Sequence, residues 1–89
     1  MILKDRIALV TGAAGGIGQA ICTALAAEGA IIAVHCHKQE AAALDLVGEL
    51  GGAATAFQAD ITAADQAELL VDRVVERMGG IDILINNAG

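Results

Sequence analysis

The stretch Thr11-Gly12-Ala13-Ala14-Gly15-Gly16-Ile17-Gly18 is the part of this sequence best suited to chemistry, because it crowds four glycines into seven positions just after an apolar run. Backbone N–H groups at a helix N-terminus attract phosphate, and a Cβ there blocks close approach or forbids a positive φ. A phosphate cradle is the expected chemistry. Gln19 follows Gly18 where a triphosphate-binding loop needs Lys-Ser/Thr, and Ile21 stands where G-x-G-x-x-G needs its last glycine, so neither of those loops fits. Three further groups stand at the ends of apolar runs: His35-Cys36-His37-Lys38, Asp60-Ile61 and Asn86-Asn87-Ala88-Gly89. The first invites a metal reading. Alternation along a strand sends His35 and His37 to one side and Cys36 to the other, and no other His or Cys completes a set. No metal site is expected.

These residues need a frame that brings them together, and the hydrophobic period supplies one. Ile7 to Val10 is apolar on both alternating faces and too short for a helix, which suits a strand covered on both sides. From Gly16 the spacing turns helical, with Ile17, Ile21 and Leu25 four apart, Ala24 beside them and Gly29 as the stop. Ala30 to Val34 reads as a second buried strand. Gln39 to Leu50 is helical again, with Ala43, Leu46, Val47 and Leu50 on one stripe and Gly51-Gly52 after it. Ala54 to Ala59 reads as a weaker third strand. Thr62 is a fair N-cap for a third helix, and Asp65 adds negative charge in its first turn. Ala67, Leu70, Val71, Val74, Val75 and Met78 then make the cleanest amphipathic stripe in the chain, which Gly79-Gly80 ends before a fourth strand over Ile81 to Ile85.

The order β-α-β-α-β-α-β implies a parallel sheet, since each crossover returns the chain to the same end. Right-handed crossovers and the doubly wound order arrange the strands 3-2-1-4, with the first two helices on one face and the third on the other. The first and fourth strands then become neighbours whose outgoing loops diverge. In open α/β sheets that switch point is where ligands bind, so Thr11-Gly12 and Asn86-Asn87 are expected to face one crevice.

Composition narrows the function classes. The 89 residues make room for one small domain, and 56% hydrophobic content can fill its core. Lys and Arg total 5 against 11 Asp and Glu, a net charge of -6, which argues against nucleic-acid or anionic-membrane partners. Charges interrupt every apolar run before the ~20 residues that span a bilayer, and Lys4-Asp5-Arg6 spoils a secretory leader. Cys22 and Cys36 read as reduced thiols, so a cytoplasmic domain is expected. Alanine and glycine supply 20 and 11 residues and Phe57 is the sole aromatic, so each side chain buries little area and stability should be modest.

The turn fits T-G-x-x-x-G-I-G, and with Asp60-Ile61 and Asn86-Asn87-Ala88-Gly89 it resembles the short-chain dehydrogenase/reductase family, in its classical subgroup, from about Leu3 to Gly89. The stretch from Gly29 to Ala43 looks most like carbonyl reductases of the 3-oxoacyl-carrier-protein type. The resemblance implies a Rossmann-like doubly wound sheet, here the dinucleotide-binding part of a larger fold. It further implies that Gly12, Gly15, Gly16 and Gly18 shape the turn around a dinucleotide pyrophosphate, with Ile17 packed beside it. Asp60 would hold the adenine amino group and Ile61 would wall the base. Asn87, Ala88 and Gly89 would line the floor toward ribose and nicotinamide, while Thr11 and Asn86 brace their strands.

Cofactor choice in such folds depends on the end of the second strand, where an acid accepts from the ribose 2′-OH and a base attracts a 2′-phosphate. Cys36 stands where NAD-preferring relatives carry Asp, and no acid appears before Glu40. Lys38, and His37 when protonated, can hold a phosphate, so NADP(H) is favoured over NAD(H). The family's hydride transfer uses a Ser and a Tyr-x-x-x-Lys pair downstream of N-N-A-G. These 89 residues contain neither serine nor tyrosine, so no catalytic residue is nominated and the chain alone is expected to be inactive. Two other readings keep the fold: a catalytically silent dinucleotide-binding module, and an interaction protein that docks through its sheet edge. The fourth strand, with one charge among Ile81 to Ile85, is also an expected edge for self-association.

Overall fold

The computed structural model describes residues 1–88 as β1 (Ile7–Val10), α1 (Gly16–Ala27), β2 (Ile31–Cys36), α2 (Glu40–Leu50), β3 (Thr55–Gln58), α3 (Ala64–Met78) and β4 (Ile83–Ile85). The contact expected of Gly89 lies outside the described residues. All strand pairs are parallel and the order is β3-β2-β1-β4, as the crossover argument requires. Val10 pairs with Val34 on one side and Ile85 on the other, which brings the ends of β1, β2 and β4 level. No helix among the described residues is long and apolar enough to cross a membrane.

Alternation on these strands divides the core into two layers. Ala8, Val10, Ile32 and Val34 point to the face that α1 and α2 cover with Cys22, Ala43 and Leu46. Leu9, Ala33 and Phe57 point to the other face, which α3 covers with Leu70 and Val74. Burial pushes the Cys22 thiol up to about 11 and raises that of Cys36, where Glu40 adds a smaller push, so both remain protonated at neutral pH.

Several expected boundaries and faces shift. β2 runs on through His35 and Cys36, because the ladder to β3 continues as His35 opposite Phe57 and Cys36 opposite Gln58. β3 is shorter than Ala54–Ala59 at both ends. β4 loses Ile81 and Asp82, whose backbone turns so that the Asp82 carboxylate accepts the Ile7 amide at 2.9 Å. On α1 the buried line runs through Gly18 and Cys22, while Ile17 is 74% exposed and Ala24 faces solvent. Small residues win that face because they let the helix lie close to the sheet. On α3 only Leu70 and Val74 are fully covered, leaving Val71 and Val75 exposed, since one narrow line is all a lone helix can press against this short sheet.

Candidate functional site

Two glycines set the geometry where β1 becomes α1. Gly12 has φ +62°, and a Cβ there would lie 3.1 Å from both Cα and Cβ of Ala88. At Gly18 a Cβ would meet the Gly12 carbonyl oxygen at 2.5 Å and Ala13 Cα at 2.7 Å, so glycine lets the first helical turn rest on the loop. Gly16 has open space above it. Gly15, at φ -77°, is the N-cap, and its amide leans on the Gly12 carbonyl at 3.4 Å. Among the described residues the amides of Ala14, Gly16, Ile17 and Gly18 donate to no protein acceptor, so they remain for an anion.

β4 holds the other side of this corner. The Thr11 amide donates to Ile85 O at 3.0 Å and extends the ladder. The Thr11 hydroxyl accepts from the amides of Asn87 and Ala88 at 3.0 and 3.1 Å, and its own proton faces Asn86 Oδ1 at 3.3 Å. The Asn87 side chain donates to the Gly12 carbonyl at 3.1 Å. Asn87 therefore ties the glycine turn, and of the two described residues among the three expected as floor, Ala88 borders the cleft and Asn87 does not.

That cleft, of about 380 Å³, opens at the carboxyl edge of the sheet. Gly12, Ala14 and Ala88 line it on the β1–β4 side and Asp60, Ile61 and Thr62 on the β3 side, with His35, Cys36, His37, Lys38 and Gln39 at the end of β2 between them. Gly15, Gly16, Ile17 and Gly18 lie beyond this lining, along the α1 N-terminus. Six of the expected binding residues thus share one concavity and four more continue it.

Thr62 caps no helix. Ala63 takes the N-cap position of α3 without a side-chain bond, while the Thr62 hydroxyl and amide both donate to Asp60 Oδ1. An Asx turn at a strand end competed with the helix cap and won. Those two bonds, the hydroxyl's first, hold the Asp60 carboxyl below its ordinary value against the opposing effect of desolvation, with smaller help from His37 and Lys38. Whatever the ionised group contributes is therefore present above the ordinary Asp range and is lost as pH falls through the lowered value. Its other oxygen, Oδ2, is 3.8 Å from His37 Nε2 and faces the cleft with it. Gln66 completes the turn by accepting the Asp60 amide at 2.8 Å.

Sequence reasoning missed His35, which it weighed only as a metal ligand. The residue is 1% exposed, its Nδ1 accepts the Gly12 amide at 3.0 Å, and its Nε2 donates to Ala59 O at 2.8 Å. A histidine at the end of a buried strand must place both ring nitrogens, and that requirement was legible.

A family model described as "short chain dehydrogenase" matches residues 6–89. The chain belongs to the short-chain dehydrogenase family. A 3-oxoacyl-[acyl-carrier-protein] reductase of Synechocystis sp. is 41% identical over 98% of this chain and 36% of its own length. The crystal structure of a putative dehydrogenase from Burkholderia cenocepacia with bound NADP superposes with a TM-score of 0.86 at 37% identity, over 96% of this chain and 34% of that one. An NADH-dependent reductase of alginate metabolism gives a TM-score of 0.84 at 42% identity, over 98% and 37%. This short-chain dehydrogenase sequence thus spans about a third of the length of the curated relatives it matches.

Proposed function

We propose that this chain is the NAD(P)(H)-binding portion of a short-chain dehydrogenase/reductase whose complete form moves a hydride between the nicotinamide and an alcohol or carbonyl. The observation that carries the reading is the row of unpaired amides at Ala14 and Gly16–Gly18, set at the same sheet edge as Asp60 and Lys38. A pyrophosphate on those amides leaves the adenosine half to run toward Asp60 and Ile61. When bound, the dinucleotide supplies the hydride; the residues here hold and orient it. The Synechocystis relative is named as a 3-oxoacyl-[acyl-carrier-protein] reductase, and a carbonyl substrate of that class is proposed for the complete protein.

NADP(H) is the favoured form. Lys38 and His37 border the cleft beyond β2, Cys36 replaces an acid at its end, and the first carboxylate, Glu40, already belongs to α2. The similar structures include one with NADP and one named for NADH, so direct titration is the test. Calorimetry should show NADPH binding more tightly than NADH. Lys38→Glu should weaken NADPH by about tenfold, the loss of one exposed charge contact and gain of a repulsive one, and leave NADH nearly unchanged. Equal affinities that Lys38→Glu leaves equal would refute the NADP preference, and no binding of either at millimolar levels would refute the site.

Two further parts of the reading follow from exposure. Buried, unpaired Cys22 and Cys36 suit a reducing compartment such as the cytoplasm. The short β4, with Leu84 60% exposed, offers an apolar edge to a second copy. Sedimentation of the 89-residue chain should show concentration-dependent association that Leu84→Lys suppresses. A wild-type chain that stays monomeric at high concentration would remove this part.

A further inference from the structure

We infer that His35 is a positioning residue for dinucleotide binding: its neutral imidazole ties the glycine turn to the end of β3 and so fixes the spacing between the two sides of the cleft. The inference rests on the dinucleotide reading above. Nδ1 accepts the Gly12 amide at 3.0 Å, and the only hydrogen left for Ala59 O, 2.8 Å from Nε2, is the one on Nε2. One tautomer satisfies both contacts. A proton on Nδ1 would face the Gly12 N–H, and its loss from Nε2 would set a lone pair against a carbonyl.

The brace acts on both rims at once. Gly12 is held at its amide by His35 and at its carbonyl by Asn87, and Ala88 packs where a Cβ would stand, so both peptide groups flanking Gly12 are tied. The His35 carbonyl adds a bond from the Ala13 amide at 2.9 Å. These bonds withdraw the Gly12 and Ala13 amides from any anion and leave those of Ala14, Gly16, Ile17 and Gly18 to receive it. At the other rim, Ala59 directly precedes Asp60, whose amide Gln66 holds. A ligand that spans glycine turn and Asp60 needs both rims at a set separation, and one buried ring sets it. An apolar residue of similar volume would fill the same space while orphaning a part-buried N–H and a buried C=O.

Three substitutions separate positioning from packing. His35→Leu removes both contacts; His35→Asn keeps an acceptor for Gly12 but is too short for Ala59; His35→Gln keeps a donor for Ala59 and gives up the Gly12 acceptor. NADPH and NADH are titrated by calorimetry against wild type and variants, with melting by circular dichroism, and ¹⁵N-histidine spectra report the wild-type tautomer. The His35 ring is expected to show the Nε2-protonated pattern. The His35→Leu variant should bind at least about tenfold more weakly, two hydrogen bonds' worth, and His35→Asn should recover more affinity than His35→Gln. If His35→Leu fails to fold, the Asn-against-Gln order decides. A folded His35→Leu variant binding within about twofold of wild type, equal Asn and Gln variants, or a ring protonated at Nδ1 would overturn the inference. A wild-type chain that binds neither dinucleotide removes the site reading, and this inference with it, whereas wild-type binding that His35→Leu leaves intact removes the inference alone.

Discussion

Gly18→Ala is expected to lower the melting temperature by up to roughly 15 °C, although it places the best helix former inside a helix. Replacing glycine by alanine at an unhindered helical position stabilises by about 1 kcal/mol. At Gly18 the new methyl would stand 2.5 Å from the Gly12 carbonyl oxygen and 2.7 Å from Ala13 Cα, both backbone atoms that cannot rotate away. Overpacking of that kind costs about 1–3 kcal/mol, which outweighs the propensity gain. The relief is for α1 to lift off the turn, which also misplaces the amides of Ala14 and Gly16–Gly18, so dinucleotide affinity should fall as well. Gly48 is the control. It lies within α2, and nothing stands within 4 Å of its added Cβ, so Gly48→Ala should raise the melting temperature by a few degrees. A Gly18→Ala variant that melts at or above wild type would show that the close contact between turn and helix is wrongly placed.

Leu70→Ala should be the most damaging single truncation on the α3 side, costing about 2–5 kcal/mol by lost transfer energy and cavity formation. Leu70 and Val74 are the only fully buried side chains of α3, and they meet Leu9, Ala33 and Phe57 across the sheet. A domain of this length has a total stability of roughly 0.05–0.15 kcal/mol per residue, so the loss is a large fraction of it. Denaturant unfolding should show a reduced midpoint or a population that has already released α3. The adjacent Leu69 is 56% exposed, and Leu69→Ala should change stability by about 0.5 kcal/mol or less. Comparable costs at the two leucines would mean that the burial of α3 is not as described.

Much of this was legible because the signals are local. The alternation in Ile7–Val10 and the helical spacing of Ala43, Leu46 and Leu50 report which face is buried without reference to any other segment. Element order then fixed the sheet, since parallel crossovers of one hand leave few ways to place four strands. Errors arose where two local signals competed. Thr62 was expected to cap a helix, but the Asp60 carboxylate two residues earlier takes both its hydroxyl and its amide. The stripe on α3 included Val71 and Val75, but the width of the face that becomes covered depends on what packs against it.

The sequence by itself determined the element order, the parallel sheet, the family motifs and the glycine-rich corner where backbone amides gather, because helical and strand periods and glycine requirements are properties of a few consecutive residues. Only the tertiary structure decided which of those amides remain unpaired, that Asn87 ties the glycine turn, and that His35 joins the turn to β3. Those contacts link residues 23 to 75 positions apart, and a hydrogen bond over such a separation depends on how the strands align in the sheet, which no short window of sequence contains.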